Sequence, residues 1–179
     1  EDAKSPYARA NVAIALLHLG KVSEATRRLN ELLTKDPGFP SGRALRGVLA
    51  LRMGMGSEAR AEFDAALAVD PYNPIANNQL AAEAIRSGKF NDAIRYARLA
   101  LLVDSGNMNS YVNIATAYRG MGQAELAKLV ALNALAINPR ADRVLNIHGL
   151  LLLDEDHVSD AVRQFTRALR VRPDGVATN

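Results

Sequence analysis

The chain of 179 residues is 49% hydrophobic but only 5% aromatic and has no tryptophan, so alanine and leucine supply its apolar mass, a balance that favours close-packed helices over a sheet sandwich. It has no cysteine, which excludes disulfides, thiolate zinc sites and a cysteine nucleophile within these residues. The formal charge is +3, no block of basic residues concentrates it, and no apolar run approaches the roughly 18–20 residues that cross a bilayer, so nucleic-acid binding and membrane insertion are both disfavoured.

The first apolar helical pattern runs to Gly20, a residue suited to the left-handed conformation that ends a helix. A second helix is expected from about Ser23, a good N-cap, to just before Pro37. The next pattern ends in RMGMGSEA, where Gly54 and Gly56 raise the question of a phosphate-cradling loop. A helix from near Ser57 then stops before Pro71, and Asn73 is placed to cap the following helix with Pro74 at its first position. The third pattern turns at Gly88, restarts near Asn91 and stops at Ser105, after which Asn107 caps. The fourth turns at Gly122, has Glu125 in place of a good cap, and stops at Pro139. The last turns at Asp156, one of the few non-glycine residues that accept a positive φ, restarts near Ser159 and stops at Pro173.

These landmarks recur every 34 residues, and a period of that length marks a repeat array, so the glycines of RMGMGSEA belong to a helix–helix turn. Five units follow, 6–39, 40–73, 74–107, 108–141 and 142–175, in a single array over 6–175 with tails 1–5 and 176–179. Small residues recur where two backbones must approach: Ala13, Gly47, Ala81, Ala115 and Gly149 in the first helices, Ala25, Ala59, Ala93, Ala127 and Ala161 in the second. Larger residues such as Leu29, Phe63, Leu80, Phe90, Tyr118 and Phe165 fill the remaining space, and stacked neighbours share one core.

With these residues the chain resembles the tetratricopeptide repeat family, whose 34-residue helix–turn–helix units place small residues at unit positions 8, 20 and 27, glycine at 15 and proline at 32. Departures are Leu32, Ser105, Asp156 and the lack of a large aromatic at position 4 outside Tyr111. The resemblance implies an all-α fold, an α–α superhelix in which right-handed winding of the units makes a concave face lined by first helices, and a protein that binds other proteins without catalysis. Placed as in the family, the concave face carries Arg52, Asn78, Arg86, Asn109, Val112, Arg119, Arg143 and Asn146, with Asp154 as the counter-charge. Amide donors and acceptors suit a peptide backbone, and arginine forks grip carboxylates, so a peptide or helix of a partner, acidic in character, is the expected ligand. The basic and asparagine pattern with which chaperone adaptors of this family hold a terminal carboxylate is met at only Asn78 and Arg143, which disfavours that role.

His18, His148 and His157 show no metal-ligand spacing, and His148 reads as a buried, hydrogen-bonded core histidine. DEDH at 154–157 lacks the pattern of a calcium loop and reads as a solvated acidic turn. No cofactor, metal or catalytic arrangement is expected. Beyond Pro173 no polar capping helix follows, so Val162, Phe165 and Leu169 are expected to form an uncovered end face for self-association or a second protein. The start without methionine reads as a mature product or an excised segment, with cytoplasm and periplasm both left open. The functional expectation is a scaffold or adaptor, bacterial in composition, with envelope assemblies such as pilus, motility or secretion machinery as its setting. The alternative is a regulatory or targeting domain of a larger enzyme such as a glycosyltransferase or kinase.

Overall fold

The computed structural model describes residues 5–171, and among them are ten α-helices and no strand. The first helices of the hairpins are α1 (Pro6–His18), α3 (Pro40–Arg52), α5 (Pro74–Arg86), α7 (Met108–Gly120) and α9 (Asp142–Asp154). Their partners are α2 (Val22–Lys35), α4 (Gly56–Val69), α6 (Phe90–Val103), α8 (Ala124–Ile137) and α10 (Val158–Val171). Each helix starts 34 residues after its counterpart in the preceding hairpin. Pro173 and the tail 176–179 lie outside the described residues, as do residues 1–4.

Backbone chemistry sets the turn inside each hairpin. Gly20, Gly54, Gly88 and Gly122 have φ of 71°, 77°, 69° and 71°, and Asp156 in the same register has φ 62°. The Gly20 N–H donates to the Leu17 carbonyl at 3.2 Å and the Lys21 N–H to the Leu16 carbonyl at 2.9 Å. Together these bonds tie off the last open carbonyls of α1 as a Schellman motif. The same pair closes α5 through Gly88 and Lys89, at 3.0 and 2.8 Å, and α9 through Asp156 and His157, at 3.1 and 2.8 Å.

The residue after the left-handed one is already the N-cap of the next helix, as Lys21, Met55, Lys89 and Gln123 show, and none of these makes a side-chain cap bond. This corrects the expectation that Ser23, Ser57, Asn91 and Ser159 cap the second helices. Each lies one residue inside its helix, because the Schellman bond fixes the entry and leaves no residue over for a capping side chain. A first-turn acid instead faces the positive end of each helix: Glu24, Glu58, Asp92, Glu125 and Asp160. A backbone hydrogen bond, helped by the Ser57 hydroxyl, holds the Glu58 carboxyl below its ordinary value.

Between hairpins the chain turns on Asp or Asn side chains that accept from the backbone two residues on. Asp70 takes the Tyr72 N–H at 3.1 Å, Asp104 the Gly106 N–H at 3.0 Å and Asn138 the Arg140 N–H at 3.0 Å. The helix that follows is capped by asparagine at both expected places. Asn73 accepts from the Ala76 N–H at 3.1 Å ahead of Pro74, and Asn107 from the Ser110 N–H at 3.2 Å.

The chain forms two compact units, 1–80 and 81–179, with the boundary inside α5. The core of the first gathers Ala10, Ala13, Ala25, Leu29, Leu32 and Leu45. The second holds one cluster around Ala81, Ala93, Ala97 and Ile114, and another around Ala115, Ala127, Ala131, Val144 and Leu151. The recurrent alanines Ala25, Ala59, Ala93 and Ala127 are fully buried, as close helix approach requires. In α3 the approach is closer still: a Cβ on Gly47 would lie 2.5 Å from Cε1 of Phe63, and Gly149 stands in the same relation to Phe165.

Candidate protein-interaction face

In the first unit the guanidinium of Arg52 bridges two first helices, its Nη1 donating to the Leu17 carbonyl of α1 at 3.2 Å. Asn78, on α5, is buried at 8% exposure, and so offers a ligand much less than the expectation required.

In the second unit Arg86 is exposed near the end of α5, and four of the named residues come together on α7 and α9. Arg143 donates through Nη1 to Oδ1 of Asn109 at 2.6 Å, across a chain separation of 34. Both are exposed, as is Asn146, and Val112 is half-buried. The bond uses one acceptor of Asn109 and one donor of Arg143, leaving the amide N–H pair and the rest of the guanidinium fork to recognise a partner. Arg119 is already engaged. Its Nε and Nη2 meet both oxygens of Asp154, at 2.5 and 2.9 Å. This bidentate hydrogen-bonded pair raises the arginine above its ordinary value and holds the Asp154 carboxyl below its own.

The acidic turn is also paired. Lys128 donates to Glu155 at 2.8 Å, and His157 lies 3.3 Å from the same carboxylate. The Lys128 hydrogen bond, followed by the Lys128 and His157 charges, depresses the Glu155 carboxyl against an opposing push from burial. Expected as solvated, Glu155 is instead 20% exposed, because Lys128 on α8 reaches across to it. His148 is buried as expected, at 8%, but its Nδ1 has no hydrogen-bond partner. Burial, with the charges of Lys128 and Arg167 behind it, pushes its imidazole below the ordinary value. At the far end Val162 and Leu169 are exposed, whereas the Phe165 ring is folded over Gly149 and is half-buried.

Two of these contacts had a signal in the sequence. Residues 34 or 35 apart on successive first helices lie side by side, as Asn109 and Arg143, Arg119 and Asp154, and Leu17 and Arg52 all do. Aligning the units against one another pairs the first two directly. The Lys128–Glu155 pair, from a second helix to a turn 27 residues on, carried no such mark.

The tetratricopeptide repeat family model matches residues 109–140, one hairpin with the turn at Gly122. Among solved structures, TTC0263, a thermophilic tetratricopeptide repeat protein of Thermus thermophilus, is similar with a TM-score of 0.77 and 17% identity, covering 95% of this chain and 93% of that one. The chain is a tetratricopeptide repeat protein. PilF of Pseudomonas aeruginosa shares the repeat fold with a TM-score of 0.74 and 19% identity, over 97% of this chain and 78% of its own. PilW, a type IV pilus biogenesis factor, is similar at a TM-score of 0.75 and 17% identity, over 94% of this chain and 78% of its own. No curated protein matches by sequence. The fold is of the all-α, α–α superhelix class, and the repeat family is one of protein-interaction scaffolds. No described helix is long and apolar enough to cross a membrane.

Proposed function

We propose that this tetratricopeptide repeat protein is a non-catalytic scaffold, its five units working as one array, that binds an acidic segment of a partner on the first-helix face. The reading is carried by the exposed Asn109–Arg143 pair, which with Asn146 and Val112 sets amide and guanidinium donors beside an apolar patch on α7 and α9. Such a surface suits a peptide whose backbone takes the amide bonds and whose carboxylates take the arginine forks. Arg86 extends the basic character. Arg119 joins only when a partner's carboxylate displaces Asp154, so that pair tunes affinity by competition. A bacterial envelope assembly is the proposed setting, supported by the fold likeness to PilF and to PilW, the latter a pilus biogenesis factor.

Photo-crosslinking from a reactive side chain placed at Val112 tests the reading. It expects a partner protein whose crosslinked segment is acidic, and loss of the crosslink in Arg143→Glu. A partner retained in full by Arg143→Glu, or a crosslinked segment without acids, overturns it.

A further inference from the structure

The first hairpin leaves open a face that the other hairpins close. It consists of the third, seventh and tenth residues of a first helix, which in α1 are Ala8, Val12 and Ala15. The third residues of the later first helices, Gly42, Ala76, Ser110 and Val144, are all buried. At the seventh place Leu80, Ile114 and His148 are buried and Arg46 is half-buried, whereas Val12 is 49% exposed. At the tenth place Leu49, Ala117 and Leu151 are buried and Glu83 is half-buried, whereas Ala15 is exposed.

A helix supplies the cover wherever the cover is seen. In the first unit a Cβ on Gly42 would stand 3.0 Å from Cδ2 of Leu33 on α2. In the second unit α6 packs on α7 and α8 on α9. The repeat thus shapes this face to receive a second helix.

On the first hairpin the same face opens into a groove of about 970 Å³ between α1 and α2, floored in part by Ala8 and Val12. Its rim is basic, with Arg27, Arg28 and Lys35 on α2, and Glu31 is the lone acid lining it. Glu31 is shared by Arg27 at 3.0 Å and Arg28 at 3.9 Å, so positive charge remains in excess.

We propose that the α1–α2 groove docks an acidic amphipathic helix of a partner protein, in the place where a second helix sits on the later hairpins. Apolar residues spaced at i, i+3, i+4 and i+7 lie on Ala8 and Val12, and flanking carboxylates meet Arg27, Arg28 and Lys35. A second copy of this chain is the poorer occupant. The exposed face of α10 carries Val162 and Leu169, but also Arg163, Arg167 and Arg170, which repel the rim of the groove. This site shares no residue with the first-helix face of the scaffold reading and stands or falls separately.

The test is titration of the 179-residue protein with a fluorescent synthetic helix bearing leucine at i, i+3, i+4 and i+7 and glutamate on both flanks. Two control peptides carry lysine in place of glutamate, or the acidic composition in scrambled order. The acidic helix is expected to bind with saturation, to weaken steeply with salt, and to lose about tenfold or more in affinity in Val12→Glu and in Arg27→Glu/Arg28→Glu. Val12 and both arginines are solvent-facing, so these variants keep the helical circular dichroism of the parent, and Arg143→Glu leaves this binding unchanged. Equal binding of either control peptide, or indifference to Val12→Glu, overturns the proposal. So does a concentration-dependent dimer in sedimentation that Val12→Glu abolishes, which would make the occupant a second copy.

Discussion

The α3–α4 and α9–α10 hairpins are built on the same contact, yet they end up differently covered. Gly47 lies beneath Phe63 and Gly149 beneath Phe165, each so close that a Cβ would stand 2.5 Å from the ring. Phe63 is 2% exposed, whereas Phe165 is half-buried and its neighbours Val162 and Leu169 are open to solvent. A hairpin can therefore pin its ring by itself, but it cannot bury it. The rest of the cover comes from outside the hairpin, as the stacking logic of repeats requires. Local geometry and burial are separate achievements here, and the same residue pair shows each in isolation.

The largest test of that separation truncates the two rings. Phe63→Ala is expected to cost about 3–5 kcal/mol in denaturant unfolding, and Phe165→Ala roughly half as much, because only one side of its ring is packed. Equal losses would mean that the hairpin contact alone carries the energy. Next come Gly47→Ala and Gly149→Ala, where overpacking against the ring is expected to cost roughly 1–3 kcal/mol at both sites. Here the two hairpins should agree, since the clash belongs to the glycine contact and not to the cover, and a much smaller loss at Gly149 would show that a half-buried ring swings aside.

His148 sharpens the comparison in a third way. Its counterparts Leu80 and Ile114 are apolar, and it is the polar group carried into the covered face of α9. Burial lowers its pKa, so the unfolded chain binds more protons than the folded one once pH falls below about 6.5. Stability is accordingly unaffected by this group at higher pH and declines as pH drops through that range. His148→Leu should remove the decline and add about 1 kcal/mol at neutral pH, as an orphaned buried nitrogen disappears. Urea unfolding at about pH 7.5 and about pH 5.5, on either side of the ordinary histidine value, checks both. The smallest pair of effects concerns capping: Asn107→Ala is expected to cost about 1 kcal/mol, and Ser159→Ala close to nothing, read from the midpoints of thermal melts.

That last contrast shows where sequence reasoning carried and where it stopped. The turns at Gly20, Gly54, Gly88, Gly122 and Asp156 were legible because a positive φ is demanded of one residue and few residues supply it. Asn73 and Asn107 were legible for the same reason, a local bond from a side chain to its own backbone. Ser23, Ser57, Asn91 and Ser159 misled because the helix entry was already settled by a backbone bond that no side chain reports. On the candidate face the sequence placed Arg119 and Asp154 together as opposite charges on one face, but not as bonded partners, since that depends on how successive first helices align. The burial of Asn78 and the reach of Lys128 to Glu155 belong to packing between helices, which a periodic pattern describes only on average.

The shared residue at each inner turn has a mechanical consequence. Lys89 closes the end of α5 and begins the entry to α6, so no slack separates the two helices. Their rotational phase is geared, tooth to tooth. One residue inserted between Gly88 and Lys89 would index α6 by about 100°, swinging Ala93 and Ala100 out of their seats and turning an outer side chain inward. Substitutions at this turn are cheap wherever the backbone bonds survive, while a change of length by a single residue would throw the whole second helix out of mesh.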